Sequence, residues 1–140
     1  MVKIDYSSFE SAIGQLEKSL AFLNSEMAKT NVDLREQFRS ASIQAFEYTY
    51  ELCIKMLRRQ LEQIAANPGE LRQMQFMDFI RTAFESGLVE NPTTYKLYRE
   101  MRNTTSHAYG SDKAEKIISI TTPFLKEVKF VLGQLKKRNA

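Results

Sequence analysis

Late in the 140-residue chain, Arg102-Asn103-Thr104-Thr105-Ser106-His107-Ala108-Tyr109 brings together residue types suited to handling a phosphodiester. His107 is the single histidine of the sequence, with Arg102 five positions before it and Tyr109 two after. A guanidinium grips phosphate with a planar fork that keeps its charge, and an imidazole moves protons near neutral pH. Cleavage through an attacking ribose 2′-hydroxyl needs a base for that hydroxyl, an acid for the leaving oxygen and stabilisation of charge. Arg102 is therefore the candidate for holding the scissile phosphate, and His107 for proton transfer. Because one chain offers one histidine, the second protonation role falls to another copy across a two-fold axis, or to a group such as Tyr109. A homodimer with both motifs on a shared cleft is the simplest arrangement.

If the segment is helical throughout, five positions separate Arg102 and His107 by about 140° around the axis. His107 then stacks with Asn103, and Arg102 with Ser106. Asn103 can fix the His107 tautomer, and Asn103 and Ser106 serve as supporting residues. A helix-end network that only satisfies carbonyls would use the same residue types, so the spacing alone leaves both readings open.

The elements that must position this motif read as helices. Tyr6, Phe9, Ile13, Leu16, Leu20, Leu23 and Met27 recur at steps of three and four, a single apolar stripe that predicts a helix over 5–29, capped by Asp5 or Ser7. A second helix, 34–65, carries two stripes. One runs through Leu34, Phe38, Ala41, Ala45, Tyr48, Leu52 and Met56, the other through Ile43, Phe46, Tyr50, Leu57, Leu61 and Ile64. Two stripes predict neighbours on both sides. Between them runs a charged line of Glu47, Glu51, Lys55 and Arg58 or Arg59, whose consecutive members should meet one turn apart. Glu47, Glu51 and Lys55 are candidate cleft residues facing the motif; Glu47 and Glu51 lack a third acidic ligand for a metal.

Asn67-Pro68-Gly69 reads as a turn. A third helix, 74–86, ends at Gly87 as a C′ glycine. Asn91-Pro92 opens a fourth, 92–107, which runs into the motif. The last helix, 112–137, is capped by Asp112 and should kink near 119–122 because Pro123 removes a backbone donor. No segment alternates like a strand. The expected fold is all-α, a five-helix antiparallel up-and-down bundle forming one domain over 1–140.

Composition narrows the function classes. A chain of this length buries roughly 68% of its unfolded surface, so it needs no structural metal or disulfide. Cys53 is the only cysteine; with one histidine, no zinc spacing exists and no cofactor is implied. Cys53 reads as core. No apolar run approaches the ~20 residues of a membrane span and no leader is evident, which points to a soluble protein of a reducing cytoplasm. A net charge of +3 permits nucleotide or RNA binding without arguing for it. Lys136-Lys137-Arg138 suits a solvated helix C-terminus.

Three ordered blocks carry a family resemblance. Phe46-Glu47-Tyr48-Thr49-Tyr50-Glu51-Leu52-Cys53-Ile54-Lys55 is similar to F-E-x-T-[YF]-E-L-x-W-K. Phe79-Ile80-Arg81-Thr82-Ala83-Phe84-Glu85-Ser86-Gly87-Leu88-Val89 is similar to a block ending in G-L-I. Met101 to Tyr109 matches R-N-x-x-S-H-x-Y. Together they resemble the nucleotidyltransferase substrate-binding proteins of the HEPN superfamily. Ile54 and Tyr95 stand where tryptophan is common, and Gly110 where an acidic residue is frequent. The resemblance implies a dimeric helical bundle partnered by a separately encoded small nucleotidyltransferase. In related two-gene systems the helical protein is a metal-independent RNase toxin, neutralised when the partner adenylylates the motif tyrosine, here Tyr109. Other members are regarded as non-catalytic subunits that bind nucleotide or substrate. The chain has no G-S-x-x-x-G-x-x-S-D-x-D pattern and so is not the transferase itself. Toxin-type ribonuclease and substrate-binding subunit both remain open.

Overall fold

The computed structural model describes residues 3–105 and 110–140; Ser106, His107 and Tyr109, named above as site residues, lie outside the described residues. Seven α-helices and one 3-10 turn, with no strand, make up the described residues: α1 (Ser7–Leu23), α2 (Glu26–Thr30), α3 (Val32–Ile64), α4 (Pro68–Gln73), α5 (Phe76–Glu85), the turn Pro92–Thr94, α6 (Tyr95–Thr104) and α7 (Ser111–Arg138).

The all-α expectation holds, but the count of five does not. The first helix breaks at Asn24-Ser25, where Asn24 turns its amide back onto the Leu20 carbonyl and Ser25 caps α2 by accepting from the Ala28 N–H. Asn67-Pro68 is a helix start rather than a plain turn: Asn67 Oδ1 accepts the Gly69 N–H and Pro68 takes N1, where its missing donor costs nothing. Asn31 caps α3 through the Leu34 N–H. Tyr6, not Asp5 or Ser7, holds the cap position of α1 and makes no side-chain cap bond; Asp5 instead accepts the N–H of Ser7, the first helical residue. Asp112 sits inside the first turn of α7 without capping it; Gly110 holds the cap position. The helical assignment of α7 runs unbroken through Pro123. At the other end of α5, Gly87 has φ +81° and closes a Schellman turn, its N–H on the Phe84 carbonyl and that of Leu88 on Ala83.

Paired residues fix the directions of the long helices. Phe22 stacks on Phe38, while Thr49 Oγ1 reaches the Ala12 carbonyl, so α1 and α3 are antiparallel. Glu115 meets Arg35 and Arg39, Phe124 meets Phe46, and Asn139 meets Gln60, so α3 and α7 are parallel. Tyr98 against Phe124 and Tyr95 against Glu127 set α6 antiparallel to α7. The up-and-down alternation is thus carried by α1, α3, α6 and α7. The short α4 and α5 fill the connection between α3 and α6.

α3 is the central helix: it contacts α1, α2, α4, α6 and α7. Its buried set is nevertheless one broad face, built from Ile43, Phe46, Tyr50, Cys53, Met56, Leu57 and Leu61 with the small or amide residues Ser42, Thr49 and Gln60. In the other stripe Met56 is buried and Leu34, Phe38, Ala45 and Leu52 are half-buried, while Ala41 is exposed and Tyr48 is 58% exposed. The hydroxyls of Ser42 and Thr49 are absorbed by helix carbonyls at Phe38 and Ala45, which allows them a dry position.

Candidate functional site

α6 faces inward with Tyr95, Tyr98 and Met101. Edge-on contacts link Tyr95 to Tyr98, Tyr98 to Phe124, and Phe124 to Phe46, so a chain of rings ties α6 to both α7 and α3. The head of α6 is held by a second device. Glu127 is a buried glutamate on α7, and its carboxylate accepts the Asn91 N–H at 2.9 Å, the Glu90 N–H at 3.1 Å and the Tyr95 hydroxyl at 2.8 Å. Three donors compensate the charge where no cation stands among the described partners. Burial, with the carboxylate beside it, drives the Tyr95 phenol far above its ordinary value, so it stays a donor. Burial likewise pushes the Cys53 thiol up; as expected, Cys53 is core.

With α6 fixed at its head and inner face, its last turn delivers Arg102 to the charged line of α3. Arg102 Nε donates to Glu51 Oε1 at 2.7 Å, and an Nη lies 3.5 Å from Glu47 Oε1. Thr105 Oγ1 lies 2.9 Å from Glu47 Oε2 and 2.8 Å from the Arg102 carbonyl, so its one proton serves either acceptor. The cluster opens to solvent: the Arg102 side chain is 27% exposed and that of Glu51 57%. Beneath it the Tyr50 phenol is kept protonated by burial. Beside it Glu47 and Glu51, with Gln44 and Tyr48, line a surface hollow of about 390 Å³.

The structure therefore joins Arg102 to Glu51 and Glu47 and adds Thr105, which sequence reading did not single out. It does not bring Lys55 in. Lys55 is exposed and, among the described residues, has no ion-pair partner, because Glu51 turns to Arg102 rather than to the next turn of its own helix. Nor does Arg58 extend the line; it lies over the Phe79 ring, 4.7 Å from its centroid. Asn103 is exposed and lines a different groove, shared with Phe76 and Arg99. Glu127 was also missed, though a signal existed: it stands three residues after Phe124 and one before Val128, a charge on the buried stripe of α7.

Chemically, the Arg102 guanidinium has donors to spare beyond those given to the two carboxylates, so an anion can add to it without stripping it. The paired carboxylates hold the fork in place.

Residues 4–137 match the family model for nucleotidyltransferase substrate binding protein like chains. The chain belongs to the nucleotidyltransferase substrate-binding protein family. Over 100 residues it is 41% identical to the probable ribonuclease HepT of Haemophilus influenzae, covering 71% of this chain and 68% of that one. A solved Haemophilus influenzae structure, described as the fold of a substrate binding domain of a nucleotidyltransferase, superposes with a TM-score of 0.89 at 31% identity, covering 94% of this chain and 99% of that one. Two of this family member's departures now have a physical account. Tyr95 is fully buried with its hydroxyl on Glu127, and Ile54 is partly buried against the core, so both positions pack. Among the described residues no helix is long and apolar enough to cross a membrane.

Proposed function

We propose that the protein is the helical partner of a small, separately encoded nucleotidyltransferase and acts as a metal-independent ribonuclease toxin of a toxin–antitoxin pair in a reducing cytoplasm. His107 transfers protons, Arg102 holds the scissile phosphate, Asn103 and Ser106 support the site, and Tyr109 accepts the adenylyl group that neutralises it. Two copies form a homodimer and so supply two histidines to one cleft. The observation that carries this reading is the Arg102 anchorage. A guanidinium in the last turn of α6, five residues ahead of the histidine in sequence, is gripped by Glu51 and Glu47 of α3 yet left open to solvent. Preorganised positive charge of this kind stabilises charge that develops in a transition state. The name of the 41% identical relative, a probable ribonuclease, supports the same reading.

The second reading is a non-catalytic subunit that binds nucleotide or substrate for the nucleotidyltransferase. It draws on the description of the solved relative and on two carboxylates already occupying part of the Arg102 fork.

Protein purified without its partner, incubated with structured RNA in EDTA beside His107→Ala and Arg102→Ala, separates the two. Cleavage by the wild type alone, suppressed by partner plus ATP through modification of Tyr109, is the expected result. A wild type no more active than the alanine variants on every RNA tried leaves the substrate-binding subunit. Light scattering at micromolar concentration tests the dimer, which a monomer mass would overturn.

A further inference from the structure

Asn103 does not face the Arg102 cluster but closes one end of a groove of about 660 Å³ between the start of α5 and the exposed face of α6. Its lining includes Phe76 and Met77 from α5, and Lys96, Arg99, Glu100 and Asn103 from α6. Lys96, Arg99 and Asn103 follow one another at three and four positions, so they form a continuous row along the helix. The Arg99 guanidinium lies over the Phe76 ring, 4.6 Å from its centroid. An arginine so placed keeps its charge, loses little further freedom on binding, and offers its outer face to a planar group. Neither Lys96 nor Arg99 has an ion-pair partner among the described residues. Asn103, at the end of the row, stands four residues before His107 in sequence.

We propose that this groove is a subsite for single-stranded RNA, seating nucleotides that flank the scissile phosphate. An unpaired base stacks on the Arg99 guanidinium backed by Phe76, Lys96 meets a backbone phosphate, and Asn103 marks the end toward the motif. The ligand class follows from the lining. A plane of charge over an aromatic ring binds unpaired bases, whose faces a duplex hides, and an ammonium one turn away matches the adjoining phosphate. Glu100, the one carboxylate of the lining, opposes the strand and limits its affinity. The inference rests on the ribonuclease reading above.

The test uses His107→Ala protein, so that RNA stays intact, and anisotropy of a short fluorescein-labelled oligoadenylate beside its duplex. Single strand should bind more tightly than duplex. Phe76→Leu and Arg99→Gln should each weaken it about tenfold, roughly the loss of one stacked base. Lys96→Gln should also flatten the salt dependence by about 0.7 in logarithmic slope, the share of one phosphate on a single strand. Glu100→Gln should tighten binding, a sign that mere structural damage does not give. Circular dichroism of each variant checks that it folds. If all four variants bind as the His107→Ala parent does, and cleave as wild type does when made with His107 intact, the groove proposal falls and the ribonuclease reading stands. Loss of nucleotidyltransferase binding with RNA affinity unchanged makes the groove the partner's seat and overturns it. A wild type that neither binds nor cleaves RNA fails the ribonuclease reading itself, and the subsite with it.

Discussion

Arg102 makes contacts of two kinds, and they differ in what they contribute. Its pairing with Glu51 and Glu47 is solvent-exposed, so for stability it is worth no more than about 1 kcal/mol. For chemistry, the same pairing fixes a long side chain that would otherwise sample many rotamers, and misplacement of a catalytic group is costly in rate. Glu51→Ala should therefore cut RNA cleavage about tenfold while moving the melting midpoint by no more than roughly 3 °C. A large stability loss with activity in proportion would instead make Glu51 structural. Sequence reading placed Glu51 and Glu47 on the right line of α3, because i+4 spacing is a local property. It could not see that Glu51 would leave Lys55 for a guanidinium 51 residues away, since that choice depends on which helix arrives alongside.

At the scale of the element, α6 is a short helix held at its head by Glu127 and along its inner face by aromatic edges. Glu127→Gln keeps one acceptor oxygen but turns an amide donor toward groups that are themselves donors. A buried donor left without a partner is the expensive outcome. The variant should lose about 2 kcal/mol, or roughly 7 °C in melting midpoint for a chain of this size. A midpoint unchanged from wild type would mean that water replaces the carboxylate and that the clamp is dispensable. The end of α5 was legible because Gly87 announced it, whereas Asn67 read as a turn and proved to be the cap of α4. The break at Asn24-Ser25 was not legible, because the apolar stripe continues across it to Met27 and periodicity alone reads straight through.

For the whole molecule, the chain ends are drawn together: the Ile4 N–H reaches the Asn139 side chain, which in turn bonds Gln60 of α3. The last turn of α7, expected to be a solvated tail, is partly committed as well, with Lys136 on Glu10 and Arg138 on the Ser86 carbonyl. At the opposite end, Glu115 of α7 joins Arg35 and Arg39 of α3. The hydrogen bond from Arg35, helped by Arg39, holds the Glu115 carboxyl below the ordinary value of 4.5. A carboxyl lowered in the folded state adds stability that is full above its unfolded value and vanishes as pH falls through the folded one. Both side chains are more than a third exposed, so solvent screening holds the contribution under about 1 kcal/mol. Urea midpoints of wild type and Glu115→Gln, followed from neutral to acid pH, should differ slightly in favour of the wild type above 4.5 and converge below it. A gap that widens toward acid would contradict the linkage.

Short-range information in the chain was enough for its helical class, for the Gly87 cap, for the buried thiol and for the motif block that carries the family resemblance. Each depends on neighbours within a turn or two, and the 3.6-residue period makes those neighbours readable. Tertiary structure decided the rest. It set α3 and α7 parallel, buried Glu127 against the donors that make its charge tolerable, aimed Arg102 at one side of α6 and Asn103 at another, and left Ala41 and Tyr48 exposed. These depend on which helical faces meet, and a periodic stripe says that a face wants covering without saying what covers it.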